Sequence, residues 1–482
     1  MSLVLQAVRR HAADRPHQLA LTDGDVSLNY AALHAEILRL TDLLRPIVEG
    51  GRPVALILDN GPAWAVLDLV LLGLRTPVVP IPPFFTGEMV AHTLTDAGAG
   101  LRLRAAAPGE SAVDAAGARI VVEVVATPRA LLHPGTAKVT YTSGSTGRPK
   151  GVCLSAAHME ATAAAVVEAL GPDLAGVHLP VLPLGVLLEN VAGLYANLLA
   201  GGAYHARGLA SLGFADPFRP DFARLAGAAV DAEATSLILT PELLRGLMGA
   251  MVAGGVSLPR LTFVAVGGAR VSPDLLLRAR ALGLPAFEGY GLSECASVVT
   301  LNTPVADRPG TAGRALSHVS LASEDGELVV SGDGFLGYAG EPAHSGPVRT
   351  GDLGSIDADG FVTISGRRAN TLITSYGRNV SPEWVESELL AQPEIAQAVV
   401  FGEGCARPEA LLSPTAAGAD PARLQAAVAR ANARLPAYAQ VGRWVVTGPL
   451  DAAAGELTRN GRPRRDVVWA RRGHLLKTTE PA

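Results

Sequence analysis

The chain has 482 residues, of which 49% are hydrophobic and 18% charged, and its formal net charge at pH 7 is −5. This composition excludes an intrinsically disordered chain. The balance of 40 basic and 45 acidic residues gives no strongly basic chain, so we expect no nucleic-acid partner. At roughly 150 residues per domain, the length predicts about three domains, or one large domain and a small one.

Cysteine usage and apolar stretches indicate where the protein resides. Cys153, Cys295 and Cys405 are far apart and odd in number, which predicts neither a disulfide framework nor a metal pair. No apolar segment typical of a signal peptide follows the first arginines. The apolar stretch Trp64–Leu74 is interrupted by Asp68 and is too short to cross a bilayer. We therefore expect a cytoplasmic protein without an integral membrane segment.

Strand–helix–strand patterns occur twice in the first 270 residues. The predicted elements are Val54–Leu58, Ala63–Leu74 and Val78–Ile81 in the first unit, and Ser236–Leu239, Pro241–Ala250 and Thr262–Val266 in the second. Short apolar runs that alternate with helical patterns favour an α/β fold, with parallel-type sheets covered by helices.

The character of the sequence changes after Val319. Short strands between Gly/Asp turns, at Leu328–Ser331, Gly354–Asp357 and Phe361–Ile364, predict a small β-rich subdomain. The last hundred-odd residues predict a separate α+β unit, whose elements are a helix over Glu383–Leu390 capped by Ser381, a strand over Ala396–Phe401, a helix over Pro421–Leu435 and a strand over Arg443–Thr447. We place the domains at residues 1–367 and 368–482, and expect the second domain to be mobile.

The stretch Tyr141–Gly151, with the sequence YTSGSTGRPKG, is the most informative in the chain. Strands over Ala137–Thr142 and Gly151–Leu154 are predicted to flank it. Its glycines allow backbone N–H groups to converge on an anion, its hydroxyls add neutral donors, and Lys150 adds positive charge. The spacing does not match the GxxxxGK[ST] phosphate loop. A flexible polar hairpin is the simpler interpretation of such a loop.

This stretch resembles the phosphate loop of the acyl-adenylate-forming superfamily, which includes acyl-CoA synthetases, peptide-synthetase adenylation domains and beetle luciferases. Further signatures of that family follow in the same order. They are Gly267–Ala269, Glu288–Glu294, Arg349–Leu353, Gly366–Arg367, and Gly377–Pro382 leading into Val385–Glu386. The resemblance covers nearly the whole chain and is nearest to long-chain acyl-CoA synthetases.

The resemblance implies that the chain binds ATP and Mg²⁺ and activates a carboxylic acid as its adenylate. It implies catalytic roles for Lys150 and Glu294, with the Glu294 carboxylate as a Mg²⁺ ligand. The other implied nucleotide contacts are Thr142, Ser143, Gly144, Ser145, Thr146 and Gly147 for phosphates, Gly268, Ala269, Gly289, Tyr290, Gly291 and Ser293 around adenine, and Asp352 and Arg367 for ribose or phosphate.

For the second step, the resemblance implies that the loop from Gly377 enters the site. There a thiol, from coenzyme A or from the phosphopantetheine of a carrier protein, attacks the acyl-adenylate. A glycine allows a pantetheine arm to approach closely. A glycine turn before the helix capped by Ser381 is the alternative interpretation, and both can hold.

The chain departs from the family at two positions of the C-terminal part. Arg462 stands where the family has a Lys that bridges the carboxylate and the α-phosphate. Arg keeps the charge but is planar and bulkier, so Arg462 acts as that Lys, a neighbour such as Arg459 or Arg464 does, or adenylation is impaired. We favour the first of these. The hinge position, usually Asp or Lys, is Ala369, where the backbone can still rotate.

The segment Leu182–Gly193 resembles the acid-binding stretch of long-chain acyl-CoA synthetases. Glu189 matches the family's Glu, while Val186 replaces its His. With Leu187 and Leu188, these residues predict a site for an apolar medium- to long-chain acid. The same leucines are also typical of core packing. An amino acid is the other possible substrate, because Asp231 or Glu233 could bind its amino group.

Two functions remain at this point. The first is an ATP-dependent acyl-activating enzyme that transfers the acyl group to coenzyme A, to the phosphopantetheine of a carrier protein acting in trans, or to an amine. An alternative form of this first function is a stand-alone adenylation enzyme that activates an amino acid or an aryl acid. The second is a degenerate adenylate-binding protein in which Arg462 marks impaired catalysis.

Overall fold

A computed structural model of the chain describes residues 2–142, 149–216, 219–416, 418–458 and 461–477, with the side chains of residues 142 and 173 excepted. The α-helices are α1 (Leu3–Asp14), α2 (Tyr30–Val48), α3 (Pro62–Gly73), α4 (Gly87–Asp96), α5 (Ala156–Leu170), α6 (Ala196–Ala200), α7 (Phe222–Asp231), α8 (Pro241–Gly254), α9 (Pro273–Ala281), α10 (Pro382–Leu390), α11 (Pro421–Asn432), α12 (Arg465–Arg472) and α13 (His474–Lys477). Short 3₁₀ helices cover Gly171–Ala175, Ser293–Cys295 and Arg368–Asn370, and a π-helix covers Glu189–Tyr195.

The strands of the N-terminal part build two large sheets and one small one. They are β1 (Leu19–Thr22), β2 (Ser27–Asn29), β3 (Val54–Ile57), β4 (Val78–Pro80), β5 (Leu101–Ala105), β6 (Val113–Ala115), β7 (Ala118–Val124), β8 (Thr136–Thr142), β9 (Lys150–Ser155), β10 (Val177–His178), β11 (Ala203–His205), β12 (Ser236–Leu239), β13 (Phe263–Val266), β14 (Ala286–Tyr290), β15 (Thr300–Leu301), β16 (Arg314–Ala315), β17 (Val319–Glu324), β18 (Glu327–Gly332), β19 (Gly337–Tyr338), β20 (Val348–Ile356) and β21 (Val362–Arg367). Those of the C-terminal part are β22 (Leu372–Ile373), β23 (Asn379–Val380), β24 (Ile395–Phe401), β25 (Glu409–Pro414) and β26 (Arg443–Val446).

The first large sheet has the order β16-β15-β14-β13-β12-β10-β11-β1-β2, and the second has the order β19-β9-β8-β4-β3-β5-β7-β6. Their central pairs are parallel, for example β3 with β4 and β12 with β13. Both predicted strand–helix–strand units therefore form parallel neighbours, and the α/β prediction is confirmed.

The predicted β-rich subdomain is the four-stranded antiparallel sheet β17-β18-β20-β21. The structure extends the strand predicted over Gly354–Asp357 back to Val348, so that the Arg349–Leu353 signature lies within β20. A register shift between Leu353 and Gly354 marks the place where the sequence pattern breaks. The signature is therefore part of a sheet rather than a free turn.

The C-terminal part is a smaller α+β domain with its own apolar core, around Val385, Val400 and Leu412. As predicted, Ser381 caps α10, since its hydroxyl accepts from the N–H of Trp384 at 3.3 Å. A large N-terminal domain followed by a smaller one is confirmed, whereas the boundary at residues 367 and 368 stays a prediction. Within the described ranges, none of the helices is both long and apolar enough to cross a membrane.

One buried ion pair connects three parts of the large domain. Lys138 on β8 donates to Asp68 on α3 at 2.7 Å, and both side chains are buried. Lys138 also donates to Asn190 in the π-helix, and Asn190 and Tyr195 both donate to Asp68. Burial lowers the pKa of Lys138, and Asp68 opposes that shift. The pair joins the strand before the phosphate loop to the segment predicted to bind the acid.

Removing the cation of this pair is expected to destabilise the fold. Lys138→Met leaves the Asp68 carboxylate buried without its partner, which costs about 3–5 kcal/mol of unfolding free energy. Urea unfolding measures the loss. The double variant Lys138→Met/Asp68→Leu removes both charges and should regain part of it, while Arg260→Met on an exposed side chain is the control. A double variant as unstable as the single one contradicts this account.

Candidate active site

A continuous cleft of about 4310 Å³ runs between the two domains. Its walls come from both, for example Gly289 and Asp352 from the large domain and Trp384 and Arg462 from the small one. The predicted site residues that line it are Val186, Leu187, Leu188, Gly268, Ala269, Gly289, Tyr290, Gly291, Ser293, Asp352, Arg367 and Arg462. Four other described site residues lie outside its lining, and these are Lys150, Glu189, Glu294 and Gly377. The structure therefore brings most of the predicted site to one place.

Asp352 is the centre of a polar cluster in the cleft. It lies opposite Arg367 in the antiparallel pair of β20 and β21. Arg367 Nε donates to Asp352 Oδ1 at 2.9 Å, and the hydroxyl of Tyr290 donates to Asp352 Oδ2 at 2.8 Å. Burial raises the pKa of Tyr290, so its hydroxyl keeps the proton that it donates. The cluster therefore offers a nucleoside an aromatic ring, a carboxylate and a guanidinium in one place.

Two glycines of the cleft have positions that a side chain would disturb. Gly268 has a φ of +77°, in the left-handed region that favours glycine. A Cβ at Gly291 would lie 1.5 Å from the carbonyl oxygen of Ser297, which is backbone and cannot give way. Gly268 is therefore required by its backbone dihedral angle, and Gly291 by the close approach of the neighbouring backbone.

Arg462 reaches this part of the cleft from the small domain. Its Nη2 donates to the carbonyl oxygen of Gly268, and its own N–H donates to Thr458 Oγ1 at 3.0 Å. Arg464 also lines the cleft, while Arg459 lies outside the described residues. Gly377, by contrast, is exposed at a φ of +69° and does not line the cleft. In this arrangement Arg462 lies in the cleft and the turn at Gly377 does not, and the roles predicted for both stay predictions.

Lys150 and Glu294 are connected through a residue that the sequence analysis missed. The ammonium of Lys150 lies 4.8 Å from the ring centre of Tyr338 and 2.9 Å from Glu341 Oε1. The hydroxyl of Tyr338 donates to Glu294 Oε1 at 2.8 Å. Tyr338 is brought there because β19 pairs with β9 in the eight-stranded sheet. Only this long-range pairing identifies Tyr338 and Glu341, since neither stands within one of the family signatures.

The phosphate-loop residues Ser143, Gly144, Ser145, Thr146 and Gly147 lie outside the described residues. The two strands that flank them form an antiparallel hairpin in which Thr142 is opposite Lys150. Both strands that were predicted to flank the loop are therefore present. The roles of the loop residues themselves stay predictions.

Glu189, within the segment predicted to bind the acid, is fully buried. Its Oε1 accepts from His178 Nε2 at 2.8 Å and from the Tyr204 hydroxyl at 2.9 Å. The other ring nitrogen of His178 is 2.8 Å from Ser236 Oγ, and both His178 and Ser236 line the cleft. A contact of Glu189 with an acid would therefore be indirect. Its predicted role in substrate binding stays a prediction.

Glu288 precedes Gly289 on β14 and lines the cleft, but sequence analysis assigned it no role beyond membership of its signature. Its side chain is 8% exposed, and its Oε2 has no hydrogen-bond partner among the described residues. Burial raises the pKa of Glu288 to about 8, an effect that the charge of Arg270 opposes. At neutral pH this carboxyl group is mostly protonated, so it places no full negative charge in the cleft.

The carboxylate of Glu294 is suited to a Mg²⁺ ion that is bound mainly by phosphates. Mg²⁺ is commonly held by one or two carboxylates together with substrate phosphates and water. Within the described residues, no cluster of three or more His, Cys, Asp or Glu could hold a metal without such help.

Burial raises the pKa of the neighbouring Cys295 to about 12, so this thiol stays protonated and is not a nucleophile at neutral pH.

Comparisons with known proteins agree with this geometry. The family model described as AMP-binding enzyme matches residues 8–339, and that of the AMP-binding enzyme C-terminal domain matches residues 369–471. A long-chain-fatty-acid–CoA ligase from Mycobacterium bovis is 28% identical over 444 residues, covering 74% of this chain and 72% of the ligase.

Two solved structures show the same fold. An anthranilate CoA ligase in complex with anthranoyl-AMP has a TM-score of 0.78 at 18% identity, covering 98% of this chain and 97% of that one. An o-succinylbenzoate coenzyme A synthetase from Bacillus subtilis, in complex with ATP and magnesium ion, has a TM-score of 0.73 at 21% identity, covering 95% of this chain and 98% of that one.

The raised pKa of Glu288 predicts a pH-dependent stability. An unfolded chain releases this proton near pH 4.5, whereas the folded protein holds it until about pH 8, so the contribution of Glu288 falls as pH rises between those values. Glu288→Gln mimics the protonated form. Its unfolding free energy relative to the unchanged protein should be similar at pH 4.5 and higher by about 2–4 kcal/mol at pH 9.

Denaturant titrations at the two pH values measure this difference. Glu341→Gln, on an exposed carboxylate, is the control and should show little pH-dependent gain. A Glu288→Gln advantage that is the same at both pH values would show that the carboxyl group is not protonated by the fold.

Proposed function

Because the chain belongs to the AMP-binding enzyme family, we propose that it is an AMP-forming acid–thiol ligase. In the first step an oxygen of a carboxylate attacks the α-phosphorus of ATP, and the bond to the β-phosphate oxygen breaks to release pyrophosphate. In the second step a thiol attacks the carbonyl carbon of the acyl-adenylate, giving a thioester and AMP, while the thiol proton is released.

The observation that carries this proposal is the cleft between the domains. The Tyr290–Asp352–Arg367 cluster lies in it, and Arg462 of the small domain reaches the same cleft beside Gly268. We assign the ring of Tyr290 to stacking on adenine, and Asp352 to accepting hydrogen bonds from the ribose hydroxyls. Arg462 adds a positive charge where the α-phosphate would lie. Charge-stabilising groups of this kind act on a transition state that spreads negative charge over phosphate oxygens.

Lys150 and Glu294 complete the site on the phosphate side. We assign Lys150 and the adjoining loop to the terminal phosphates, and Glu294 to the Mg²⁺ that accompanies ATP. The ion would neutralise phosphate charge when it is bound. Glu341 now pairs with Lys150, and phosphate oxygens would replace that carboxylate as its partner. The exposed ion pair is weak enough to be exchanged, because such pairs contribute about 0–1 kcal/mol.

The position of Arg462 supports catalysis over a degenerate binder. A protein that had lost adenylation would not need its late arginine in hydrogen-bond contact with the adenine-binding signature. For the acceptor, the name of the fatty-acid–CoA ligase relative supports coenzyme A, and phosphopantetheine on a carrier protein in trans is chemically equivalent. Because Gly377 is exposed while Arg462 is in the cleft, we infer that the domain after residue 367 rotates between the two steps.

For the acid we infer an apolar medium- to long-chain substrate. Val186, Leu187 and Leu188 line the cleft, together with Ala192 one helical turn after Leu188. The acidic residues considered as anchors for an amino group, Asp231 and Glu233, are exposed and do not line it. An aryl acid is the second candidate, because the anthranilate CoA ligase that shares this fold binds an aryl adenylate.

The first test is acid-dependent exchange of pyrophosphate into ATP. The unchanged protein should exchange with Mg-ATP and release AMP in the presence of coenzyme A. Lys150→Ala, Glu294→Ala and Arg462→Ala should each lower exchange about 10²–10³-fold, because each removes a charge from the reacting phosphates. Arg260→Ala, on an exposed side chain outside the lining of the cleft, is the control. Bound ATP without any AMP formation, across a broad panel of acids, would contradict a ligase.

The second test is a chain-length series from acetate to hexadecanoate in the same assay, beside aryl acids and the amino acids. Each buried methylene contributes about 0.8 kcal/mol, so exchange should rise with length until the cavity is filled. Leu188→Trp should move the maximum toward shorter acids, and Leu43→Trp on an exposed helix face should not. A preference for an aryl or amino acid that ignores chain length rules out the fatty-acid assignment but not the adenylation.

A further inference from the structure

The two domains meet where α8 and α9 of the large domain face the end of α10 in the small domain. Each of the two large-domain helices contributes one half-buried arginine to this boundary, Arg245 from α8 and Arg278 from α9. Both side chains reach across to backbone carbonyl groups of the small domain.

Arg245 contacts three carbonyl oxygens at once. Its Nη1 donates to Leu390 at 2.6 Å and to Ile395 at 3.2 Å, and its Nη2 donates to Ala396 at 3.2 Å. Arg278 donates through Nη2 to the carbonyl oxygen of Ala391. Leu390 is the last residue of α10 and Ala391 follows it. The carbonyl groups of Leu390 and Ala391 are ones that a helix leaves without intrahelical donors. Ile395 and Ala396 are the first residues of β24, so Arg245 also contacts the start of that strand.

Charge favours the same arrangement. The C-terminal end of a helix carries a partial negative charge, and cations placed there stabilise it. A guanidinium stays protonated at any pH at which proteins are studied, and its planar fork supplies several donors. The two arginines thus cap a helix that belongs to the other domain. The free energy of that capping depends on how the domains are oriented.

Side-chain contacts beside this cap connect it to the nucleotide side of the cleft. Ser272 Oγ donates to Glu388 Oε2 of α10 at 3.0 Å, in a buried position. The guanidinium of Arg270 lies 5.5 Å from the ring centre of Trp384. Gly268, in the same short segment before α9, accepts from Arg462. The segment from residue 268 to 272 therefore contacts the small domain at both ends of the interface.

We propose that Arg245 and Arg278 are positioning residues that hold the small domain in the orientation in which Arg462 reaches the cleft. They form an interdomain cap on α10 and act on adenylation through Arg462, without touching the nucleotide. This inference rests on the proposed function of Arg462 in the first step. The thiol step uses the loop at Gly377, which is exposed in this orientation, so that step gains nothing from the cap.

The cap sets what fraction of the protein is ready for adenylation. A contact made in only one of two domain orientations shifts their equilibrium by its own free energy. Loss of one such charge-assisted contact is expected to lower the competent fraction, and with it the exchange rate, roughly tenfold. Thioester formation from a supplied acyl-adenylate should stay within about twofold, because it proceeds from the other orientation.

The experiment compares Arg245→Met, Arg278→Met and their double variant with Arg280→Met. Arg280 is on α9 like Arg278, but its guanidinium binds Asp307 and the carbonyl oxygen of Ala286 within the large domain. It therefore controls for loss of an arginine and for general destabilisation, which thermal unfolding monitors. Arg245→Lys keeps the charge but loses the planar fork of donors. Its pyrophosphate exchange rate should therefore lie between those of Arg245→Met and the unchanged protein.

Three readouts are taken on the full chain. The first is pyrophosphate exchange with dodecanoate, the second is thioester formation from dodecanoyl-AMP and coenzyme A, and the third is trypsin cleavage at the hinge arginines Arg367 and Arg368, identified by fragment mass. We expect slower exchange, unchanged thioester formation and severalfold faster hinge cleavage for the Met variants at 245 and 278. Arg280→Met should show none of these changes.

The outcomes separate this inference from the proposed function. If the unchanged protein does not exchange with dodecanoate, the assigned acid is wrong, and hinge cleavage still tests the cap without any substrate. If the double variant matches Arg280→Met in exchange and in hinge cleavage, the cap does not hold the domain and the inference is overturned. Equal losses in both half-reactions would also overturn it, because they indicate structural damage rather than a change of orientation.

Discussion

The buried pair of Asp68 and Lys138 is the constraint on which the large domain depends. A charge pair removed from water is tolerated only when its remaining lone pairs and protons are satisfied, and here Asn190 and Tyr195 complete the set. The four residues come from a helix, a strand and the π-helix, so these segments can be placed only together. The hairpin that carries Lys150 and the segment predicted to bind the acid are therefore held by the same ion pair.

The boundary between the domains has a different character. Its contacts include guanidinium groups on carbonyl oxygens, a serine on a carboxylate and the Arg434–Asp274 ion pair, in contrast to the apolar core inside each domain. Polar contacts of this kind can be exchanged for water, and each contributes about 1.5–3 kcal/mol because one partner is charged. The interface is thus specific in orientation without being permanent. That combination suits an enzyme whose two steps need different residues in one cleft.

The sequence predicted the cleft residues well where the chemistry is local. Tyr290, Asp352 and Arg367 stand in short signatures that can be recognised without the fold, and the structure places all three in the lining of the cleft. Tyr338 and Glu341 could not be predicted, because they reach Lys150 only through the pairing of β19 with β9, which no local pattern encodes. The burial of Glu189 could not be predicted from the sequence either. Its partners His178 and Tyr204 are brought to it by the order of strands in the sheet, and not by their spacing along the chain.

The π-helix at Glu189–Tyr195 has a consequence for the shape of the cleft wall that Leu188 and Ala192 form. Its i→i+5 bonding accommodates one residue more per turn than an α-helix would. A single-residue deletion here would restore α-helical winding and rotate Leu188 and Ala192 relative to α6, without replacing any side chain of the wall. Specificity in such a cavity is therefore encoded partly in backbone winding. Two chains with the same lining residues could enclose differently shaped cavities.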